Sequence, residues 1–138
     1  MTNILKFPDS LIRNILIVED CEELRDIMVE YIRDKQPGLR IEIASDGMEG
    51  LDKIAERMPS ILITNINMPR MNGITLLKTL QERGISLPTL ATSGWWTQES
   101  LEKELADQGF AAERPILFLH KPFQFEELGM LVEKLRKM

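Results

Sequence analysis

Apolar residues along this chain keep two alternating rhythms. Asn14-Ile-Leu-Ile-Val18 is a short β-branched run closed by Glu19-Asp20, and behind it Leu24, Ile27, Met28, Tyr31 and Ile32 recur at the i, i+3, i+4 spacing of one helix face. The first pattern predicts a buried strand, the second an amphipathic helix. Pro37-Gly38 ends that helix, Leu39, Ile41 and Ile43 alternate as a strand does, and Asp46-Gly47 opens a helix carrying Leu51, Ile54 and Ala55. The pair then recurs. Ile61 to Ile66 predicts a central strand, Met68-Pro69 to Gly73 a loop, and Ile74, Leu77 and Leu80 a helix stopped at Gly84. Pro88 to Thr92 predicts a fourth strand, Leu101 and Leu105 mark its helix, and Ile116 to Leu119 predicts a last strand. Phe125, Leu128, Leu131, Val132 and Leu135 line the closing helix.

Five strands alternating with amphipathic helices imply a parallel sheet covered on both faces, because right-handed crossovers put helices on each side. The expected architecture is α/β, a flavodoxin-like (βα)5 doubly wound sheet of strand order 2-1-3-4-5. One domain is expected over residues 14–138. Residues 1–13 are read as an N-terminal extension, either a frayed tail or a small packing strap.

Composition narrows the function. A length of 138 residues with 43% hydrophobic content suffices for one core, and 22 acidic against 17 basic residues leave a net charge of -5. Such a balance repels a phosphate backbone, which argues against nucleic acid as a direct partner. Cys21 is the single cysteine, so neither an internal disulfide nor a cysteine-rich metal site can form, and a reducing, cytoplasmic compartment is expected. The first 13 residues lack the basic-then-apolar order of a signal peptide, and no apolar run approaches the roughly 20 residues that span a membrane. The eight methionines are expected to fill gaps in the core.

In a doubly wound sheet the functional crevice lies at the carboxyl ends of the strands, where the order reverses. The residues there are Glu19 and Asp20 after the first strand, Asn65 late in the third, Ser93 after the fourth and Lys121 after the fifth. Each alone is ordinary, since acidic pairs often sit solvated in loops, a serine after a strand often caps a helix, and Lys-Pro is a common turn. Together they should converge on one pocket.

Ile15-Leu-Ile-Val-Glu-Asp20, Asn65-Ile-Asn-Met-Pro-Arg-Met-Asn-Gly73, Thr92-Ser-Gly94 and Phe118-Leu-His-Lys-Pro-Phe123 carry a family resemblance. From about Asn14 to the C-terminus the chain resembles the receiver domains of bacterial two-component systems. The resemblance implies that Asp20, Glu19 and the backbone carbonyl of Asn67 would hold Mg²⁺, a hard cation suited to oxygen donors. It implies that Ser93 and Lys121 would bind phosphoryl oxygens, that rotation of Phe118 would report the state, and that the peptide before Pro122 is often cis. A sensor histidine kinase would be the partner, or another signalling protein, and a homodimer is also compatible.

Asn65 departs from the family, which carries the phosphoacceptor aspartate at that position. A carboxylate can attack phosphorus, whereas an amide is neutral and its nitrogen lone pair is delocalised into the carbonyl. Thr64 points to the opposite face and Asn67 is also an amide, so neither takes over. The expected function is therefore a non-enzymatic module signalling by protein contact, with Mg²⁺ weakened or absent and Lys121 paired to Asp20 or to the amide oxygen of Asn65. The alternative is an ordinary Mg²⁺-dependent phosphorylated receiver, if Asn65 is an engineered change. A flavodoxin-like cofactor protein is disfavoured because Glu19 to Glu23 cannot cradle a phosphate, and a haloacid-dehalogenase-type phosphatase because the strand-end aspartates it needs are missing.

Trp95 and Trp96 border the same pocket and are read as an interface anchor, with one ring over the fourth helix and the other a surface residue as the simpler account. Ala111 to Pro115 looks longer than the family's usual spacing. Cys21 is read as structural, because Glu19, Asp20, Glu22 and Glu23 oppose a lowered thiol pKa. Strand alternation aims His120 away from the pocket.

Overall fold

The computed structural model describes residues 13–111, 113–114 and 116–138. The extension read over residues 1–13 lies outside them except for Arg13, and so do Ala112 and Pro115 of the lengthened loop. The elements run β1 (Asn14–Val18), α1 (Glu22–Lys35), β2 (Arg40–Ala44), α2 (Gly47–Glu56), β3 (Ile61–Asn65), α3 (Gly73–Glu82), β4 (Thr89–Ser93), α4 (Gln98–Asp107), β5 (Ile116–His120) and α5 (Phe125–Arg136). All four strand pairings are parallel, and the sheet order is β2-β1-β3-β4-β5. This is the doubly wound order expected from the pattern.

Strand alternation divides the core in two. Leu16, Val18, Leu62 and Ala91 face a cluster completed by Leu51 and Ile54 of α2, Leu76, Leu77 and Leu80 of α3, and Leu101 and Leu105 of α4. Ile15, Ile17, Ile61, Ile63 and Leu90 face the other, closed by Met28 and Ile32 of α1 and Leu128, Val132 and Leu135 of α5. Sheet burial on both sides explains why β1 and β3 read as unbroken apolar runs. β4 begins at Thr89 and not at Pro88, which has no N–H to give the ladder.

Three expectations about the apolar positions fail. Ile27 is 52% exposed and Ala55 is also exposed, because each sits at the edge of its helix stripe. The methionines are mostly not core residues. Met28 is buried and Met68 and Met71 pack partly against the core, but Met48, Met58, Met130 and Met138 are exposed. Their positions fall on the outer faces of helices or in turns, where the thioether has no gap to fill.

Three helices, α2, α3 and α4, begin where short polar side chains offer acceptors. Asp46 accepts from Glu49 N at 2.9 Å, Asn72 from Thr75 N at 2.8 Å, and Thr97 forms a capping box with Ser100. α3 ends at Gly84, whose φ of +76° only glycine adopts readily. These caps set where α2, α3 and α4 start along the rim of the crevice.

Candidate functional site

The ladder continues one residue beyond three of the strands. Glu19 N donates to Ala44 O at 3.0 Å, Ile66 N to Thr92 O at 2.9 Å and Lys121 N to Ser93 O at 2.8 Å. Backbone hydrogen bonds therefore hold Glu19, Asn65, Ser93 and Lys121 in register across β1, β3, β4 and β5. Glu19, Asn65 and Ser93 are buried, with Glu19 1% and Ser93 0% exposed, while Asp20 and Asn67 reach solvent. The site is a shallow polar crevice with a buried floor.

Asn65 occupies its centre. Its Nδ2 donates to Asp20 Oδ1 at 2.9 Å and to the Asn67 carbonyl oxygen at 3.0 Å, and lies 3.4 Å from Glu19 Oε2. Three acceptors surround this atom, so it is the nitrogen and not the oxygen of the amide that faces the acidic pair. Two carboxylates and a carbonyl are the oxygen donors that a hard divalent cation takes. In kind the set fits Mg²⁺, but the NH₂ stands where its oxygens converge, and among the described residues no group of three metal-ligating side chains is present.

The sequence pointed to Asp20 or the Asn65 amide oxygen as the partner of Lys121, and the structure corrects this: Lys121 pairs with neither. Its Nζ lies 3.0 Å from Glu19 Oε1. The amide nitrogen has taken Asp20, and Glu19 is the buried charge that most needs a partner. Burial pushes the Glu19 carboxyl above its usual range, against the opposite pull of the Cys21 N–H and of Lys121.

Ser93 is fully engaged too. Its hydroxyl donates to Asn67 Oδ1 at 3.0 Å and accepts from Trp95 N at 2.9 Å and Trp96 N at 3.0 Å. The two indoles diverge: Trp95 is 86% exposed, while Trp96 packs partly against the core cluster that contains Leu101 and Leu105. Phe118 stands outside the polar network, half-buried against the same cluster. His120 is exposed beside it, their ring centroids 6.4 Å apart. Cys21 is exposed and makes the first step into α1 without a side-chain cap.

Two supports escaped the sequence reading. Arg25 is buried in α1 and donates from Nη1 to the Glu19 carbonyl oxygen at 3.3 Å and to Ser45 Oγ at 3.0 Å, which ties the acidic loop to the end of β2. Asp46 is paired with Arg70, whose Nε lies 2.7 Å away and whose φ is +64°. The N–H of Glu49 and then the Arg70 guanidinium hold the Asp46 carboxyl below its ordinary range. With Gly47 N bonded to Met71 O at 3.1 Å, this pair clamps the loop after β3 to the start of α2. Asp46 was legible as a helix cap, but nothing local marks Arg70 as its partner. The Lys121–Pro122 peptide is cis.

A family model, the response regulator receiver domain, matches residues 15–133. The chain belongs to this family. Among curated proteins this receiver is similar to the response regulator MprA of Mycobacterium avium (strain 104), 32% identical over 114 residues that make up 83% of this chain and 46% of that protein. MprA of Mycobacterium tuberculosis (strain ATCC 25177 / H37Ra) matches to the same extent. The receiver thus spans about half the length of the curated relatives it matches. Among solved structures, the Francisella response regulator 1452 receiver domain superposes with a TM-score of 0.75 at 26% identity, covering 91% of this chain and 97% of that one. The receiver domain of NtrX from Brucella abortus gives 0.72 at 25%, covering 90% and 98%. Receivers act in two-component signalling with sensor kinases and other signalling proteins, and generally bind Mg²⁺. No helix among the described residues is long and apolar enough to cross a membrane.

Proposed function

We propose that this receiver signals through protein contacts and is not itself phosphorylated, Asn65 standing at the phosphoacceptor position. One observation carries the reading: Asn65 Nδ2 points at Asp20 Oδ1, Asn67 O and Glu19 Oε2. A nucleophile at this place would have to be an anionic oxygen, and Mg²⁺ would have to sit among those same acceptors. The amide provides no nucleophile and sets two N–H groups where the cation's positive charge would be. If bound, Mg²⁺ would be held by Asp20, Glu19 and the Asn67 carbonyl and would supply charge for phosphoryl oxygens. Its affinity is reduced here because one carboxylate is missing and the amide must first turn away.

The remaining candidates are already engaged. Lys121 neutralises Glu19, and Ser93 has spent its only proton on Asn67. The module is therefore read as non-enzymatic, its single cysteine suits a reducing, cytoplasmic compartment, and its partner is read as a sensor kinase, another signalling protein or a second copy. Trp95 and Trp96 are the proposed contact residues, on the side of the sheet formed by α4, β5 and α5.

The test is direct. Native chain and Asn65→Asp are incubated with phosphoramidate and Mg²⁺ and weighed intact. The native chain is expected to gain nothing and the variant one phosphoryl group. Labelling of the native chain would falsify the reading. An inert Asp variant would mean that Glu19, Asp20, Ser93 and Lys121 have also lost the activity.

A further inference from the structure

A serine hydroxyl has one proton to give and two lone pairs to receive with. In Ser93 all three are in use: the proton goes to Asn67 Oδ1, and the lone pairs take the backbone N–H groups of Trp95 and Trp96. Ser93 is fully buried, so no water competes for these places. The direction of the O–H bond decides where the lone pairs point. Asn67 Oδ1, the one acceptor for that proton, therefore determines whether both tryptophan N–H groups are met.

Asn67 is itself fixed from the other side. Its backbone carbonyl accepts from Asn65 Nδ2, so the residue uses its main chain toward the acidic pair and its side chain toward the tryptophan loop. Trp95 is the most exposed large apolar side chain among the described residues, at 86%, and follows Ser93 by two positions. Its backbone is held by a bond made at the floor of the crevice.

We propose that Asn67 is the positioning residue of the Trp95–Trp96 loop, its side-chain oxygen filling toward Ser93 the acceptor role that a phosphoryl oxygen would otherwise take. This rests on the reading of the site as unphosphorylated and adds to it how the contact loop is held. A receiver that gains no phosphoryl group needs some other acceptor to orient the buried hydroxyl. Asn67 supplies it from within the chain. The loop is thus set in one arrangement, and Trp95 is presented to a partner without an activating step.

The experiment is amide hydrogen exchange on the native chain, Asn67→Ala and Asn67→Asp, in buffer with no phosphodonor. Asn67 is exposed, and far-UV circular dichroism checks that both variants fold. Removing the acceptor frees the hydroxyl to rotate, and exchange of the Trp95 and Trp96 amides is expected to rise about fivefold, the equivalent of one ordinary hydrogen bond. Amides of β4 from Leu90 to Thr92 should not change. Asn67→Asp keeps an oxygen within reach of Ser93 and should restore native rates. Unchanged exchange at Trp95 and Trp96 in Asn67→Ala overturns the proposal, and so does an Asp variant that behaves like Ala. Because no phosphodonor is present, neither result depends on whether the chain can be labelled, so failure here and failure of the unphosphorylated reading are separate outcomes.

Discussion

Asn65→Asp is expected to make the stability of the fold depend on Mg²⁺ far more strongly than that of the native chain. The substitution removes the donor that now bonds Asp20 and the Asn67 carbonyl and puts a third carboxylate beside Glu19 and Asp20. Lys121 is the one cation that pairs with these carboxylates among the described residues, and it is committed to Glu19. Lost hydrogen bonds and like-charge crowding together should cost about 2 kcal/mol, which lowers the melting temperature by roughly 5–10 °C in EDTA. Millimolar Mg²⁺ should restore it, since a cation that binds only the folded state stabilises that state. The pH dependence has a definite sign. Burial already raises the Glu19 carboxyl, so the folded state holds its proton more tightly than the unfolded chain, and this contribution is lost as pH rises through the folded value. A third carboxylate strengthens the effect, and the deficit of the variant should therefore shrink as pH falls toward the ordinary carboxylate range. An Asp variant that melts with the native chain in EDTA would show that the amide contributes no net stability.

Gly73→Ala should destabilise the fold by a clash with backbone, with no polar side chain of the site replaced. A Cβ at Gly73 would lie 2.6 Å from the Asn65 carbonyl oxygen, 2.8 Å from Ile66 Cδ1 and 3.0 Å from Ile66 Cα. Two of these atoms are backbone at the end of the central strand, and Gly73 N is bonded to Ile66 O at 2.8 Å, so the strand and the first turn of α3 cannot separate cheaply. The expected loss is about 2–3 kcal/mol, read from urea denaturation. Gly94→Ala is the control: its Cβ would meet only Lys121 atoms at 3.8 Å, an ordinary contact, and its cost should stay under about 0.5 kcal/mol. Equal midpoints for the two variants would mean that the loop after β3 gives way more easily than its packing implies.

The fold was legible because its signals are local and repeated. Ile15 to Val18 and Ile61 to Ile63 announce strands buried on both faces, and the i, i+3, i+4 rows of α1 and α5 announce the helices that cover them. Given five such units, the strand order and the crevice at the strand ends follow from general rules. The gathering of Glu19, Asp20, Asn65, Ser93 and Lys121 was also readable, since each ends a strand or follows one.

What could not be read is which atom faces which. An asparagine has a donor end and an acceptor end, and only the surrounding acceptors decide that Asn65 turns its nitrogen inward. Once it does, Asp20 is satisfied and Lys121 goes to Glu19, which reverses the pairing expected from charge alone. The Asn67–Ser93 and Asp46–Arg70 bonds join residues 26 and 24 positions apart through loops, where no periodicity marks a partner. The exposed methionines, with Ile27 and Ala55, show the opposite limit. An apolar side chain at a stripe's edge or in a turn carries the same letter as one in the core.

An Asn65 NH₂ that takes the cation's place among Asp20, Glu19 and the Asn67 carbonyl should be visible directly. Side-chain amide NMR of the native chain, with Asn65 assigned by its absence in Asn65→Asp, tests it at the atom concerned. A slowly exchanging Asn65 NH₂ pair is expected, with shifts that stay fixed as Mg²⁺ is raised to the millimolar range. A pair that exchanges as fast as a solvent-exposed amide, or that moves and saturates at low micromolar Mg²⁺, would contradict it.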